Sequence, residues 1–128
     1  MTPLVSAIVP AYNAERFLAE ALDSALAQSL QDSEIIITDD GSTDATWERI
    51  SQVAGRDPHV VGIKLSRNYG HQAALTAGLA RARGELVFVL DSDLQDPPEL
   101  LEPMRELMQA EGAEVVYGRR KSRRGERS

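Results

Sequence analysis

Asp91 and Asp93 flank a single serine directly after the apolar run Leu86 to Leu90. Two carboxylates two residues apart can turn toward one point where a chain leaves a strand, and such hard oxygen donors suit Mg2+ or Mn2+. The same triplet also serves as a strand-end turn with solvated acids, and taken alone it favours that plainer use. The continuation Leu94-Gln95-Asp96-Pro97-Pro98-Glu99 weighs against it, because paired prolines fix the loop and pre-set a first helical turn.

A second acidic cluster, Asp39-Asp40-Gly41-Ser42-Thr43-Asp44, has two readings of equal weight. It is either negative charge placed at a helix start or a carboxylate that accepts a nucleobase N–H or a ribose hydroxyl at the switch point of a sheet. Pro10-Ala11-Tyr12-Asn13 offers a ring on which a base can stack, although Asn13 also suits a helix cap. Arg67, Asn68 and His71 surround Gly70 in another loop. They either line a pocket or, the reading preferred from their types, pair with acids and cap a helix. His59 beside Pro58 reads as turn surface, and Trp47 near Ile50 as core. Neither G-x-G-x-x-G nor G-x-x-x-x-G-K occurs, which disfavours dinucleotide oxidoreductases and P-loop enzymes.

These groups punctuate an alternation of short β-rich runs and amphipathic stretches. Strands are expected at Val5 to Val9, closed by Pro10, then at Glu34 to Thr38, Val60 to Leu65, Leu86 to Leu90 and Val115 to Tyr117. Between them fall a helix after Asn13 with Phe17, Leu18, Ala21, Leu22, Ala25 and Leu26 on one face, and a second that reaches about Ala54 with Gly55 as its stop. A third spans Gln72 to Ala82 before Gly84, and a fourth spans Glu99 to about Gln109. Leu86 to Leu90 is apolar at every position, which predicts a central strand covered on both faces. The order predicts an α/β fold: a mostly parallel sheet with helices on both faces, which binds ligands beyond the carboxyl ends of its strands.

With 128 residues, 42% apolar, 27% charged and no cysteine, the chain has room for one ordinary domain and carries no disulfide framework or thiolate metal site. No leader or membrane span is read from its start or its apolar runs, so a cytoplasmic address is expected. Residues 119–128 hold six cations against Glu126, a net +5, which leaves −11 on the rest of a chain whose total is −6. An acidic body with a basic tail argues against a general nucleic-acid binder. The tail is either a solvated end or the start of a segment that meets phosphate.

Together these segments resemble the inverting nucleotide-sugar glycosyltransferases of family 2, which have a GT-A fold (Rossmann-like). The likeness is to the polyprenyl-phosphate branch: bactoprenol glucosyltransferases, undecaprenyl-phosphate aminoarabinose transferases and dolichol-phosphate mannose synthases. It is carried by Val-Pro-Ala-Tyr-Asn near the start, by residues 38–44, by Ser-Arg-Asn-Tyr-Gly-His-Gln-Ala-Ala-Leu at 66–75, by residues 91–99, and by Val-Val-Tyr-Gly-Arg-Arg at 115–120. The resemblance implies that Pro10, Tyr12, Asn13 and Asp39 or Asp40 form the nucleoside site. It also implies that Asp91, Ser92 and Asp93 meet the diphosphate, with Asp91 and Asp93 as the catalytic pair. Asp91, Asp93 and Gln95 would hold Mg2+ or Mn2+, and Arg119 or Arg120 would reach the diphosphate or the acceptor phosphate. Many family members read Tyr-Asn-Glu where Ala14 here precedes Glu15, so no nucleoside contact is assigned to that acid; Ser92 stands where alanine is usual.

The implied reaction moves a sugar from a UDP- or GDP-sugar to a polyprenyl phosphate lipid, with inversion, at the inner face of a membrane. Family members run on past the Gly-Arg-Arg segment. The chain is therefore read as a nucleotide-sugar-binding core at 1–118 and a basic tail at 119–128 that begins an acceptor region. Two rivals are kept. A haloacid-dehalogenase-like phosphatase also places D-x-D after an apolar strand, but expects Thr or Val where Gln95 stands. The other is a nucleotide-binding module without turnover.

Overall fold

The computed structural model describes residues 5–16, 18–20, 33–90 and 106. Four strands, β1 (Val5–Ala11), β2 (Ser33–Asp39), β3 (Val60–Lys64) and β4 (Leu86–Val89), pair in parallel in the order β3-β2-β1-β4. Residues 15, 16 and 18–20 are helical, and two full helices, α1 (Thr46–Arg56) and α2 (His71–Arg81), connect β2 to β3 and β3 to β4. The α/β class expected from the sequence is the one found. The strand expected at 115–117, the helix expected at 99–109 and the basic tail lie outside the described residues.

Every position of β1 is buried, and so is every position of β2 after Ser33, the signature of parallel strands covered on two faces. One face carries Val5, Ala7, Val9, Ala11, Ile35, Ile37, Phe88 and Leu90, which share a core with Leu18 and Ile50 of α1. On the other face α2 lies directly over Ile8: a Cβ on Gly78 would come within 2.6 Å of the Ile8 Cγ2, so only glycine permits this approach. Trp47 of α1 packs at the margin of the core over Gly62, and Lys64 rests 5.7 Å from the centre of its ring.

Several local expectations are corrected. Pro10 does not close β1, because the strand runs on to Ala11 with Pro10 opposite Thr38. Pro10 shares parity with Ile8, whose carbonyl accepts from Leu90, so its missing N–H faces the β4 side beyond the last ladder pair, Ile8–Val89. Gly55 does not stop α1, which ends at Arg56; Asp57 turns extended (φ −126°, ψ 115°) because Pro58 follows it. Among the described residues β4 is an outer strand, and only one of its faces is packed against other elements. Phe88 and Leu90 are buried, but Val87 and Val89 are 42% and 46% exposed, since α2 lies over β1 and β2 instead.

At the amino edge of the sheet the Glu34 carboxylate accepts the Ser6 hydroxyl (2.6 Å), the Arg83 backbone N–H (2.8 Å) and the Arg83 Nε (3.3 Å). Ser6 in turn accepts the Gly84 N–H at 2.8 Å, and a Cβ on Gly84 would sit 2.6 Å from the Ser6 nitrogen. Gly84 therefore serves this contact and not the end of α2. Burial opposes ionisation of Glu34, but the hydrogen bonds from Ser6 and Arg83 outweigh it and hold the carboxyl below its ordinary value.

Glu34→Gln should lose about 1.5–3 kcal/mol in urea unfolding at neutral pH, the range for hydrogen bonds to a charged group. Because the folded value is lowered, the carboxylate's contribution is present above the ordinary glutamate value and fades as pH falls through the folded one. The gap between parent and variant should accordingly shrink as pH falls below the ordinary glutamate value.

Candidate functional site

The shared register brings the carboxyl ends of the strands to one edge. Ala11 lies opposite Asp39, the Asp40 N–H donates to the Ala11 carbonyl (2.9 Å), and the Leu65 N–H donates to the Asp39 carbonyl (2.9 Å). Leu90, immediately before Asp91, donates its N–H to the Ile8 carbonyl at 2.9 Å, two residues short of Pro10. A cleft of about 220 Å³ opens at this edge, lined by Pro10, Ala11 and Tyr12 from β1 and its turn, Asp40 after β2, Asn68, Gly70 and His71 before and at the start of α2, and Ala74.

Tyr12 leaves its ring 49% exposed at the rim. Its position depends on the next residues, which interlock with the turn after β2. Asn13, in a left-handed conformation (φ 47°), accepts the Thr43 N–H (2.8 Å) and donates its own N–H to Ser42 Oγ (2.9 Å). Ala14 N–H donates to Thr46 Oγ1 (2.9 Å) and Glu15 N–H to Asp44 Oδ2 (3.4 Å), while Glu15 Oε1 accepts the Ala45 N–H (3.2 Å). Asp44 also accepts from the backbone and hydroxyl of Thr46. Burial works against its ionisation, but these hydrogen bonds prevail and hold its carboxyl below the ordinary value. Two helix starts thus cap each other across some thirty residues. Asn13, expected in the nucleoside site, does not line the cleft; its side chain serves this lock.

The adjacent acids divide by strand parity. Asp39, 1% exposed, shares a face with Ile35 and Ile37 and is absent from the cleft lining; its Oδ1 accepts the Ser42 N–H at 3.1 Å. Its Oδ2 and the Thr38 hydroxyl are buried without a hydrogen-bond partner among the described residues. Asp40, 4% exposed, lines the cleft and accepts the N–H of Tyr69 on Oδ1 (2.8 Å) and of Gly70 on Oδ2 (3.1 Å). Of the alternatives Asp39 and Asp40, the cleft contains Asp40.

The loop that Asp40 grips is ordered within itself. Ser66 Oγ lies 3.0 Å from Tyr69 Oη, and the Arg67 guanidinium stacks 4.6 Å from the Tyr69 ring centre. Together the hydrogen bond from Ser66 and the one from Arg67 draw the Tyr69 hydroxyl below its ordinary value. Gly41 (φ 71°) backs the loop so closely that any Cβ there would collide with the backbone of Arg67 and Asn68. The preferred sequence reading of this segment is therefore corrected. Arg67 stacks on Tyr69, and Asn68 and His71 face the cleft, because the glycine cap at Gly70 (φ 102°) leaves His71 without a capping task. The glycine just ahead of a helix was the signal available in the sequence.

Asp91, Ser92, Asp93, Gln95, Arg119 and Arg120 lie outside the described residues. Among the described residues no group of three or more His, Cys, Asp or Glu could hold a metal, and no helix is long and apolar enough to cross a membrane.

Residues 6–128 match the family described as Glycosyl transferase family 2. The chain belongs to this family, and its fold is that of the GT-A glycosyltransferases, which sets aside the dehalogenase-like alternative. It is 43% identical over 124 residues to the uncharacterized glycosyltransferase YkcC of Bacillus subtilis, covering 94% of this chain and 38% of that protein. It is 41% identical over 123 residues to the undecaprenyl-phosphate 4-deoxy-4-formamido-L-arabinose transferase of Proteus mirabilis, covering 93% and 37%. Among solved structures, the mannosyltransferase PcManGT from Pyrobaculum calidifontis in complex with GDP-Man and Mn2+ superposes with a TM-score of 0.74 at 27% identity, over 84% of this chain and 33% of that one. S. aureus TarS 1-349 in complex with UDP gives 0.71 at 28% identity, over 84% and 32%. The chain spans little more than a third of the length of the relatives it matches.

Gly41→Ala should destabilise the fold by at least the roughly 1–2 kcal/mol of a left-handed non-glycine residue and should shift the Tyr69 and Gly70 amide resonances. Gly55→Ala, with open space around its Cβ position, should instead be neutral or raise stability by up to about 1 kcal/mol. Urea unfolding of both variants checks the contrast.

Proposed function

We propose that the cleft holds the nucleoside end of a nucleotide-diphosphate sugar, and that the chain is the donor-binding part of a family 2 transferase. The observation that carries this reading is the meeting of an exposed ring, Tyr12, and a buried carboxylate, Asp40, in one cleft on the sheet edge where Leu90 leads into Asp91-Ser92-Asp93. At about 220 Å³ the cleft is smaller than the roughly 300–1,000 Å³ of sites that enclose a whole ligand, so it suits one end of an extended one.

Asp91, Asp93 and Gln95 are all oxygen donors, a set that fits Mg2+ or Mn2+. A divalent cation there would act as a Lewis acid on the departing diphosphate, where negative charge grows in the transition state. Arg119 and Arg120 would add charge-assisted hydrogen bonds to the diphosphate or the acceptor phosphate. PcManGT is described with GDP-Man and Mn2+, TarS with UDP, and the Proteus relative is named for undecaprenyl phosphate. These support a UDP- or GDP-sugar donor and a polyprenyl phosphate acceptor; our reading places the transfer at the inner face of a membrane. A phosphate monoester is largely ionised at neutral pH, with a second pKa of about 6, so such an acceptor attacks the sugar without a general base. In this reading residues 1–118 form the donor-binding core and 119–128 lead toward the acceptor.

Calorimetric titration with UDP and GDP, each in Mn2+ and in EDTA, tests the reading. Binding should require the metal, Asp93→Asn should remove most of the metal-dependent part, and Tyr12→Ala should weaken binding even at saturating metal. Equal affinity in EDTA and Mn2+ would refute it.

A further inference from the structure

We infer that Asn13 is the positioning residue for Tyr12: tied to the turn after β2, it holds the aromatic ring at the cleft before a nucleoside arrives. The inference rests on the nucleotide reading above. Tyr12 is half-exposed at the rim and its side chain makes no hydrogen bond among the described residues, so its own contacts do little to place the ring. The backbone on either side must do so. Ala11 is fixed by its ladder position opposite Asp39, and its carbonyl accepts the Asp40 N–H at 2.9 Å. Immediately beyond Tyr12, Asn13 turns the chain through a left-handed conformation (φ 47°), which asparagine tolerates better than most residues.

Asn13 is itself exposed and absent from the cleft lining, so its work is done from outside the site. Its N–H donates to Ser42 Oγ at 2.9 Å, and its Oδ1 accepts both the Thr43 N–H at 2.8 Å and the Thr43 hydroxyl at 3.3 Å. The next residue extends the hold. Ala14 N–H donates to Thr46 Oγ1, and that buried hydroxyl donates in turn to Asp44, which leaves a lone pair free to accept from Ala14. A ring held in this way loses little freedom when a base stacks on it, whereas a ring on a loose turn must be ordered at binding. Asn13 therefore acts on the ligand through Tyr12. That route separates it from a residue that only stabilises the fold.

The test is titration of UDP and GDP, in Mn2+, into the parent chain, Asn13→Gly, Asn13→Asp, Ser42→Ala, Tyr12→Ala and the double variant Tyr12→Ala/Asn13→Gly, with urea unfolding of each. Asn13→Gly keeps the left-handed backbone accessible while removing the side chain. It should raise Kd for the nucleotide the parent binds by about two- to tenfold, the cost of ordering one side chain at binding. Ser42→Ala removes the acceptor of the Asn13 N–H from the far side of the lock and should act in the same direction. Asn13→Asp retains the accepting oxygen and should keep Kd within about twofold of the parent's. In the Tyr12→Ala background Asn13→Gly should change Kd by less than about twofold, while its effect on urea unfolding should be the same in both backgrounds. An unchanged Kd in both Asn13→Gly and Ser42→Ala, an equal loss of affinity with and without the Tyr12 ring, or an Asn13→Asp variant as weak as Asn13→Gly would overturn the inference while leaving the nucleotide reading standing. A parent that binds neither nucleotide, or a Tyr12→Ala variant that binds as the parent does, would overturn both.

Discussion

Parallel pairing of β1 with β2, from Val5 opposite Ser33 to Ala11 opposite Asp39, makes the two strands end at the same height. Strands in a sheet lie about 4.8 Å apart, so the turns that follow are within hydrogen-bond reach of each other. That proximity creates both halves of the site edge. Residues 13–15 and 42–46 cap each other's helices and so fix Tyr12, while Asp40 emerges beside Ala11 and faces the cleft. A slip of one residue would exchange Asp39 for Asp40 at the cleft and undo the lock.

The same strand also anchors the crossover that covers the sheet. Glu34 at the start of β2 grips Arg83, after α2, and Asp40 just past its end grips Tyr69 and Gly70, before α2. Two carboxylates on one strand thus pin both ends of one helix. Between them Gly78 lets α2 settle onto Ile8, with Asn68 in the loop before the helix and His71 as its first residue. The body's surplus of negative charge is in part structural, because its buried acids act as acceptors for backbone N–H groups.

The four described strands and their alternation with helices along the chain were legible because β-branched runs such as Glu-Ile-Ile-Ile-Thr have no helical period, and the polar groups at their ends mark where they turn. The division of labour among those polar groups was not legible. Whether Asp39 or Asp40 meets the cleft turns on one residue of register, and the partners of Asn13, Glu15 and Asp44 lie about thirty residues away with no local signal. Arg67 found an aromatic ring two residues on, and among the described residues no acid. The end of α1 was misjudged because Pro58, not Gly55, governs it. The uniform apolarity of Leu86 to Leu90 promised two covered faces, but apolar composition does not say which neighbour supplies the cover; among the described residues only the face of Phe88 and Leu90 has it.

The central claim is that the base of a nucleoside diphosphate lies in the cleft between Tyr12 and the loop clamped by Asp40. Nuclear Overhauser contacts in the complex with Mg2+ and UDP or GDP, whichever binds, address it directly. The account predicts contacts from the base protons to the Tyr12 ring, the His71 ring and the Ala74 methyl group. Saturated binding with base contacts confined to residues outside this cleft would contradict it.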